Sequence, residues 1–111
     1  MQIYQRSRVT ILDIKSEITI KNSDLFRTTM QRLLNHPSLH LILNLEHVTY
    51  LNSSALGIIA DIAIKAKEAE KELVITGIQS PMNEIFEVVK FDTFMKIFST
   101  AEEAIDYFEQ H

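Results

Sequence analysis

The sequence predicts an α/β fold: a single domain with a mostly parallel sheet of four or five strands and four helices packed on it. Segments of strand character alternate with segments of helical periodicity along the chain, which is typical of open parallel sheets. Two strand segments, Leu39–Leu45 and Glu72–Gly77, are almost continuously apolar, as expected for strands covered on both faces. The length of 111 residues fits one domain over residues 1–111.

The N-terminal segment predicts a strand with an edge strand beside it. Arg8–Ile14 mixes β-branched residues with partial alternation of apolar and polar side chains. Gln2–Gln5 is short and polar enough to pair at its edge. Ile18 and Ile20 are expected either to extend the Arg8–Ile14 strand or to form a short second piece.

The next segment predicts a helix that begins at Asn22 or Ser23, since both residues are good N-caps. The dipeptide His36-Pro37 ends this helix, because a proline disfavours helical geometry at the residue before it. Apolar residues recur between these points at helical spacing and are expected to form one buried stripe: Leu25, Phe26, Met30, Leu33 and Leu34.

The last third of the chain predicts two helices separated by a short strand. Ser80 as N-cap and Pro81 at the first helical position mark the start of the first helix. Phe94–Phe98 is the strand, and Thr100 with Glu103 forms a capping box for the final helix. The buried face of the first of these helices is expected to hold Ile85, Phe86, Val88 and Val89.

Composition excludes several classes of function. The net charge is −4 and the basic residues are scattered, which disfavours nucleic-acid binding. The segment Ala55–Ala66 contains Asp61 and Lys65 and is too short to cross a bilayer, so no direct membrane insertion is expected. No apolar core follows Met1–Val9, so this segment is not a signal peptide. The absence of cysteine suits a cytoplasmic location.

The sequence offers no set of residues for catalysis or for metal binding. Its four histidines lack metal-ligand spacing, and no serine, histidine and aspartate can be assembled into a triad. A glycine-rich phosphate loop is also missing, since the chain has only Gly57 and Gly77. We therefore predict no enzyme activity, no metal and no cofactor. A small-ligand or nucleotide site at the carboxyl ends of the strands stays open as a distant alternative.

Ser53 lies where a buried strand and a loop lead into a predicted helix over Ser54–Glu70. The start of a helix presents free backbone N–H groups and a partial positive charge, and both favour a phosphate group. A serine at this place is therefore a candidate phosphate acceptor, and its phosphorylated form carries about −2 charge. Ser and Asn are also ordinary N-caps, so a purely structural role stays open on the local pattern alone. Gly57 has a structural interpretation too, as a point of close packing.

The stretch Leu43–Gly57 (LNLEHVTYLNSSALG) resembles the signature of STAS domains, the fold of anti-sigma factor antagonists and of sulfate-transporter tails. The family pattern is an apolar strand, a short polar connection and then Asp-Ser-[Ser/Thr]-Gly-Leu-Gly. Ser16–Thr19 stands where the family often has Gly-Glu-Leu-Asp. The resemblance covers nearly the whole chain.

This resemblance implies a regulatory switch. In antagonists of the family, an anti-sigma factor serine kinase phosphorylates the serine that corresponds to Ser53, and a PP2C-type phosphatase reverses the reaction. The unphosphorylated form binds the anti-sigma factor. Thr19 and Asn22 are implied to lie at the partner interface. The neighbours of the phosphate, with Ser54 as a secondary site, would be Asn52, Ser54, Ala55, Leu56 and Gly57.

Two positions depart from the family pattern at the signature. Asn52 stands in place of the aspartate, which removes a negative charge beside the acceptor. Ala55 stands in place of a glycine and is expected to put a methyl group where a kinase must approach closely. These departures keep a second interpretation open, in which the chain is a STAS interaction subunit of a transporter or signalling complex that is never phosphorylated.

Overall fold

The computed structural model describes residues 1–93 and 95–110, and within them five strands form one sheet. The strands are β1 (Gln2–Arg6), β2 (Val9–Asp13), β3 (His40–Asn44), β4 (Glu72–Thr76) and β5 (Ile97–Phe98). The helices of the same residues are α1 (Ser23–Leu34), α2 (Ser53–Glu68), α3 (Met82–Val88) and α4 (Ala101–Gln110), with a 3₁₀ turn at Phe91–Thr93. These elements confirm the predicted α/β fold.

The sheet runs in the order β1-β2-β3-β4-β5, with β1 antiparallel to β2 and every other neighbouring pair parallel. The predicted edge strand is confirmed as β1. In register, Asp13 at the end of β2 pairs with Asn44 at the end of β3, which pairs with Thr76 at the end of β4. The segments that follow β2 and β3 therefore leave the sheet on the same side, at the carboxyl ends of the parallel strands.

Alternation along the strands separates two hydrophobic cores. On one face, Leu12, Leu43 and Ile75 pack in a cluster with buried side chains of α1, α2 and α3. On the other face, Ile42 and Val74 pack under α4. The first of these clusters, which we call the larger core, lies on the face that carries α1, α2 and α3. The longest described helix, α2, lies on this face, and the larger core fixes its start.

Helix α4 is attached by aromatic side chains. Its Phe108 ring stacks on His40 with 4.4 Å between ring centroids, which explains the half-buried histidine of β3. The Tyr107 hydroxyl donates to the Glu72 carboxylate at 3.0 Å. Burial raises the pKa of the Tyr107 phenol, and this hydrogen bond to an anionic acceptor raises it further.

The predicted buried face of α3 is confirmed at Phe86 and wrong at Ile85, Val88 and Val89. Met82 and Phe86 are the buried residues of this helix, whereas Val88 is 79% exposed and Ile85 and Val89 are also exposed. The helix has seven residues and contacts the core through Met82 and Phe86, which are spaced i, i+4. The Phe91 ring packs edge-to-face on Phe86 at 5.0 Å and covers it. The other apolar positions of the helix consequently face outward.

Several predicted boundaries also shift. The N-cap of α3 is Pro81 rather than Ser80, and Leu25 of α1 is exposed rather than part of the buried stripe. Helix α2 ends at Glu68, two residues early, where Ala69 is the C-cap and Glu70 adopts a φ of 61°. The last strand is confined to Ile97–Phe98, and Phe94 of the predicted segment lies outside the described residues.

Gly77 adopts a φ of +77°, which a side chain rarely tolerates. A Cβ atom built there would lie 2.7 Å from the backbone nitrogen of Glu46. Gly77 therefore permits the close approach of the segments that follow β3 and β4. This contact lies at the carboxyl ends of the strands, where the loop that leads to Ser53 also begins.

We expect Gly77→Ala to lower the free energy of unfolding by about 1–3 kcal/mol, because it adds both backbone strain and a steric clash. Urea unfolding followed by circular dichroism measures this difference. Gly57→Ala is the matched control: a Cβ at Gly57 would meet no described atom within 4 Å, and alanine favours helix by up to about 1 kcal/mol. Equal effects of the two substitutions would contradict the role given to Gly77.

Candidate functional site

Ser53 is the first residue of α2, and its side chain is exposed. The chain is fixed on both sides of it, because Leu51 and Ala55 are buried in the larger core. The first turn of α2, Ser53 to Leu56, holds no carboxylate. The Ser53 hydroxyl therefore lies at an accessible helix start, where backbone dipoles favour negative charge. Ser54 is exposed beside it.

Asn52 caps this helix. Its backbone is extended, with φ of −76° and ψ of 170°, and its Oδ1 atom accepts a hydrogen bond from the Ala55 N–H at 2.8 Å. Its carbonyl oxygen accepts from the Leu56 N–H at 3.3 Å. The asparagine thus supplies the cap that the family's aspartate would supply, and it does so without a charge.

The same side chain also connects the starts of two helices. Asn52 Nδ2 donates to the Ser23 Oγ atom at 3.1 Å, and Ser23 in turn donates its hydroxyl proton to the Thr19 carbonyl oxygen at 2.6 Å. Because that proton is already engaged, Ser23 can only accept from residue 52. An amide satisfies this requirement and an aspartate carboxylate does not, since a carboxylate has no proton to donate. The departure at Asn52 therefore fits the residues around it.

Thr19 and Asn22 form a hydrogen-bonded turn in front of α1. The Thr19 N–H donates to Asn22 Oδ1 at 2.8 Å, and Asn22 Nδ2 donates to the Glu17 carbonyl oxygen at 2.9 Å. Asn22 occupies the N-cap position, as predicted, but its side chain folds back onto this turn and does not cap the helix. The turn is therefore held by side-chain to backbone bonds.

The turn lies against the Ser53 loop. Ile18 forms an isolated parallel bridge with Leu51, in which the Ile18 N–H donates to the Tyr50 carbonyl and the Asn52 N–H donates to the Ile18 carbonyl, both at 3.1 Å. This bridge is the short second piece that the sequence left open. The structure thus places Thr19 and Asn22 beside the Ser53 loop. These are the two residues for which the resemblance implies a position at the partner interface.

Ala55 does not stand at the exposed surface. Its relative exposure is 0% and its methyl group belongs to the larger core. The expectation that this methyl group meets an approaching kinase is therefore wrong. Gly57 is exposed, and a Cβ there would meet nothing within 4 Å beyond its chain neighbours and the backbone of its own helix, so close packing does not require this glycine. Leu56 is half-buried against the core.

Sequence reasoning missed two features of this site. Ser23 was identified as a helix start, but its contact with Asn52 spans 29 positions and has no local signal. Ile20 was interpreted as strand, whereas it is 89% exposed in the turn. The short polar side chains on both sides of Ile20 were the available signal, since they compete for backbone hydrogen bonds and favour turns.

Metal binding and membrane crossing find no support in the described residues. Within residues 1–93 and 95–110, no three histidine or acidic side chains converge to hold a metal ion. In the same part of the chain, no helix combines the length and the apolar character needed to cross a bilayer.

A mixed, mostly parallel five-stranded sheet, with helices on both faces and an exposed serine at the start of its longest described helix, defines a small α/β domain. The family model for the STAS domain matches residues 1–104, and the chain therefore belongs to the STAS domain family. The resemblance stated from the sequence is confirmed.

Solved structures of three proteins support the fold. A putative anti-sigma factor antagonist from Thermotoga maritima has a TM-score of 0.87 at 22% identity, over 96% of this chain and 92% of that chain. The Bacillus anti-sigma factor antagonist SpoIIAA, solved in unphosphorylated and phosphorylated forms, has a TM-score of 0.73 at 17% identity; its unphosphorylated form aligns over 97% of this chain and 96% of that chain. A sulfate transporter family protein from Wolinella succinogenes has a TM-score of 0.76 at 13% identity, over 90% of this chain and 84% of that chain. At these identities the likeness concerns the fold alone.

We expect the Asn52 and Ser23 side chains to be energetically coupled. Asn52→Ala removes a helix cap and should lower the free energy of unfolding by about 1 kcal/mol. Ser23→Ala should also destabilise, and the double variant should cost less than the sum by about 0.5 kcal/mol or more, because both substitutions break the same bond. A double-mutant cycle by urea unfolding measures the coupling. Strict additivity would show that this hydrogen bond contributes nothing.

Proposed function

We propose that the chain is an anti-sigma factor antagonist-like regulatory switch, controlled by reversible phosphorylation at Ser53. It has no catalytic activity of its own in this proposal. An anti-sigma factor serine kinase binds it and adds the phosphate, and a PP2C-type phosphatase removes it. The observation that carries the proposal is the exposed Ser53 hydroxyl at the first position of α2, in a chain of the STAS family.

The surroundings of Ser53 suit a phosphate group. The neutral cap at Asn52 and the absence of carboxylates in the first turn of α2 leave the positive end of this helix without a negative side chain of its own. A phosphate of about −2 charge on Ser53 would therefore be favoured locally and needs no buried counter-charge. Because Ser53 is exposed, both enzymes have access to it without any local unfolding.

The phosphate would act mainly at the surface. Ser53 and the Thr19–Asn22 turn lie on neighbouring segments, joined by the Ile18–Leu51 bridge and by hydrogen bonds through Asn52 and the buried Ser23. We call the exposed side chains of these two segments the Ser53 patch. A partner that covers this patch would have to accept a bulky dianion in the phosphorylated state. Charge and volume then exclude the partner, while the fold of the chain stays the same.

Phosphate transfer tests this proposal directly. The chain, the anti-sigma factor kinase of the same organism and Mg-ATP are incubated, and the product is mapped by mass spectrometry. We expect one phosphate on Ser53, none on Ser53→Ala, and unchanged transfer to the matched neighbour variant Ser54→Ala. Phosphate found on Ser54 or elsewhere, with Ser53 unmodified, would defeat the proposal.

A second candidate function is that of a STAS interaction subunit in a transporter or signalling complex, without phosphorylation. Asn52 favours it, because the neutral side chain departs from the family's aspartate beside the acceptor and already has a structural role as cap and as donor to Ser23. The fold likeness to a sulfate transporter family protein is compatible with it.

Binding of charge variants separates the two candidates. For the switch, we expect Ser53→Ala to bind the anti-sigma factor like the unmodified chain and Ser53→Asp to bind at least about tenfold more weakly, because the aspartate brings negative charge into the interface. Isothermal titration calorimetry measures both constants. Equal affinities of the two variants would favour the unphosphorylated interaction subunit.

A further inference from the structure

We infer that Ile20 and Gly57, on either side of Ser53, form the docking surface by which the serine kinase holds the chain: Ile20 enters an apolar socket of the kinase, and Gly57 lets the kinase lie directly on α2. This inference rests on the proposed function, since it names how the kinase recognises the site that it phosphorylates. It also assigns a role to two features that the fold itself leaves unexplained.

Ile20 is the most exposed large apolar side chain of the described residues, at 89%. It projects from a turn that is held on both sides, because the Lys21 N–H donates to Thr19 Oγ1 at 3.2 Å and Ser23 donates to the Thr19 carbonyl at 2.6 Å. A side chain presented by a fixed turn loses little further conformational freedom on binding. The geometry is therefore that of a preorganised apolar anchor.

The turn also brings this anchor close to the acceptor. The chain from Ile18 runs parallel to the chain from Leu51, paired at that bridge, so Ile20 and Ser53 follow the bridge on neighbouring segments. Ser23 and Asn52, which lie near them in the chain, are hydrogen-bonded at 3.1 Å. A protein that covers Ser53 therefore lies beside the turn that carries Ile20.

Gly57 lies one helical turn after Ser53, at i+4, and so on the same face of α2. A glycine inside a helix weakens that helix. At Gly77 the backbone and the contact with Glu46 require glycine, but at Gly57 neither condition holds, since a Cβ would meet nothing within 4 Å beyond its chain neighbours and the backbone of its own helix. The missing side chain leaves the surface of α2 open at this position, and a partner seated on Ser53 would touch it.

The charges beside Ile20 point to the chemistry of the occupant. Glu17 and Asp24 are exposed carboxylates on either side of the turn, against one lysine at Lys21, and Glu17 is held by the Thr49 hydroxyl at 3.2 Å. A socket with an apolar floor and a rim of lysine or arginine fits this surface. A second copy of the chain would instead bring carboxylates together, in a protein whose net charge is already −4.

Kinetics of phosphorylation by the kinase of the same organism test the docking surface. For Ile20→Ser we expect KM to rise at least about tenfold with kcat unchanged, because binding is lost while the reacting groups stay in place. Ile64→Ser is the matched control, since Ile64 is 54% exposed on α2 but about three helical turns beyond Ser53. It should leave both constants unchanged.

Gly57→Ala separates a docking role from a structural one. We expect it to raise the midpoint of thermal unfolding while it raises KM at least about tenfold, since the added methyl group favours helix and obstructs the kinase. A lower unfolding midpoint, or KM values within twofold of the unmodified chain for both Ile20→Ser and Gly57→Ala, would overturn the docking surface.

The outcome is distinguishable from a failure of the proposed function. If the kinase transfers no phosphate to Ser53 of the unmodified chain, the switch itself fails. If Ser53 is phosphorylated and the two variants have unchanged KM, the switch stands and the docking surface is wrong. Light scattering of the isolated chain measures its mass in solution and tests the other possible occupant, a second copy of the chain. A dimer that Ile20→Ser converts to a monomer would show that a second copy, and not the kinase, uses this surface.

Discussion

The architecture of the site depends on a single amide. Asn52 accepts from the Ala55 N–H and donates to Ser23 Oγ, so one side chain closes the start of α2 and ties it to the start of α1. A neutral amide can do both at once, whereas an ionised carboxylate lacks the donor. The position of the Thr19–Asn22 turn relative to the start of α2 depends on this bond, because Ser23 also donates to the Thr19 carbonyl.

The hydrophobic core sets the rotation of α2 and thereby the direction of Ser53. Leu51 enters the core before the helix begins, and the buried stripe of the helix then consists of Ala55, Ile58, Ile59, Ile62 and Ala66. Burial of apolar area is the dominant favourable contribution to folding, at about 25 cal/mol per Å². Turning the helix so that Ser53 faces inward would expose several isoleucines. The accessible hydroxyl is therefore a consequence of core packing on the opposite face.

The sequence was informative where one physical signal dominates. The continuous apolar runs of β3 and β4 have no alternative but burial on both faces, and the Asn-Ser-Ser sequence at the start of α2 is a strong signal for a helix N-terminus. It was uninformative where signals compete. Ile20 has the β-branched side chain of a strand residue, but the hydrogen bonds of Thr19 and Asn22 make a turn there. In α3 the apolar residues are spread around the helix, so periodicity alone could not show that Met82 and Phe86 are the pair that packs.

The same limit applies to Ala55 and Gly57. Both are small residues in the first turns of α2, and a pattern of residue types treats them alike. The structure separates them, because the Ala55 methyl group is enclosed by the core while the space above Gly57 is open. Which of two small residues faces a partner is fixed by the rotation of the helix, and this rotation depends on contacts with α1 and β4 that are distant in sequence. An alanine at position 55 is therefore compatible with phosphorylation at Ser53, whereas one at position 57 would change the surface that a kinase meets.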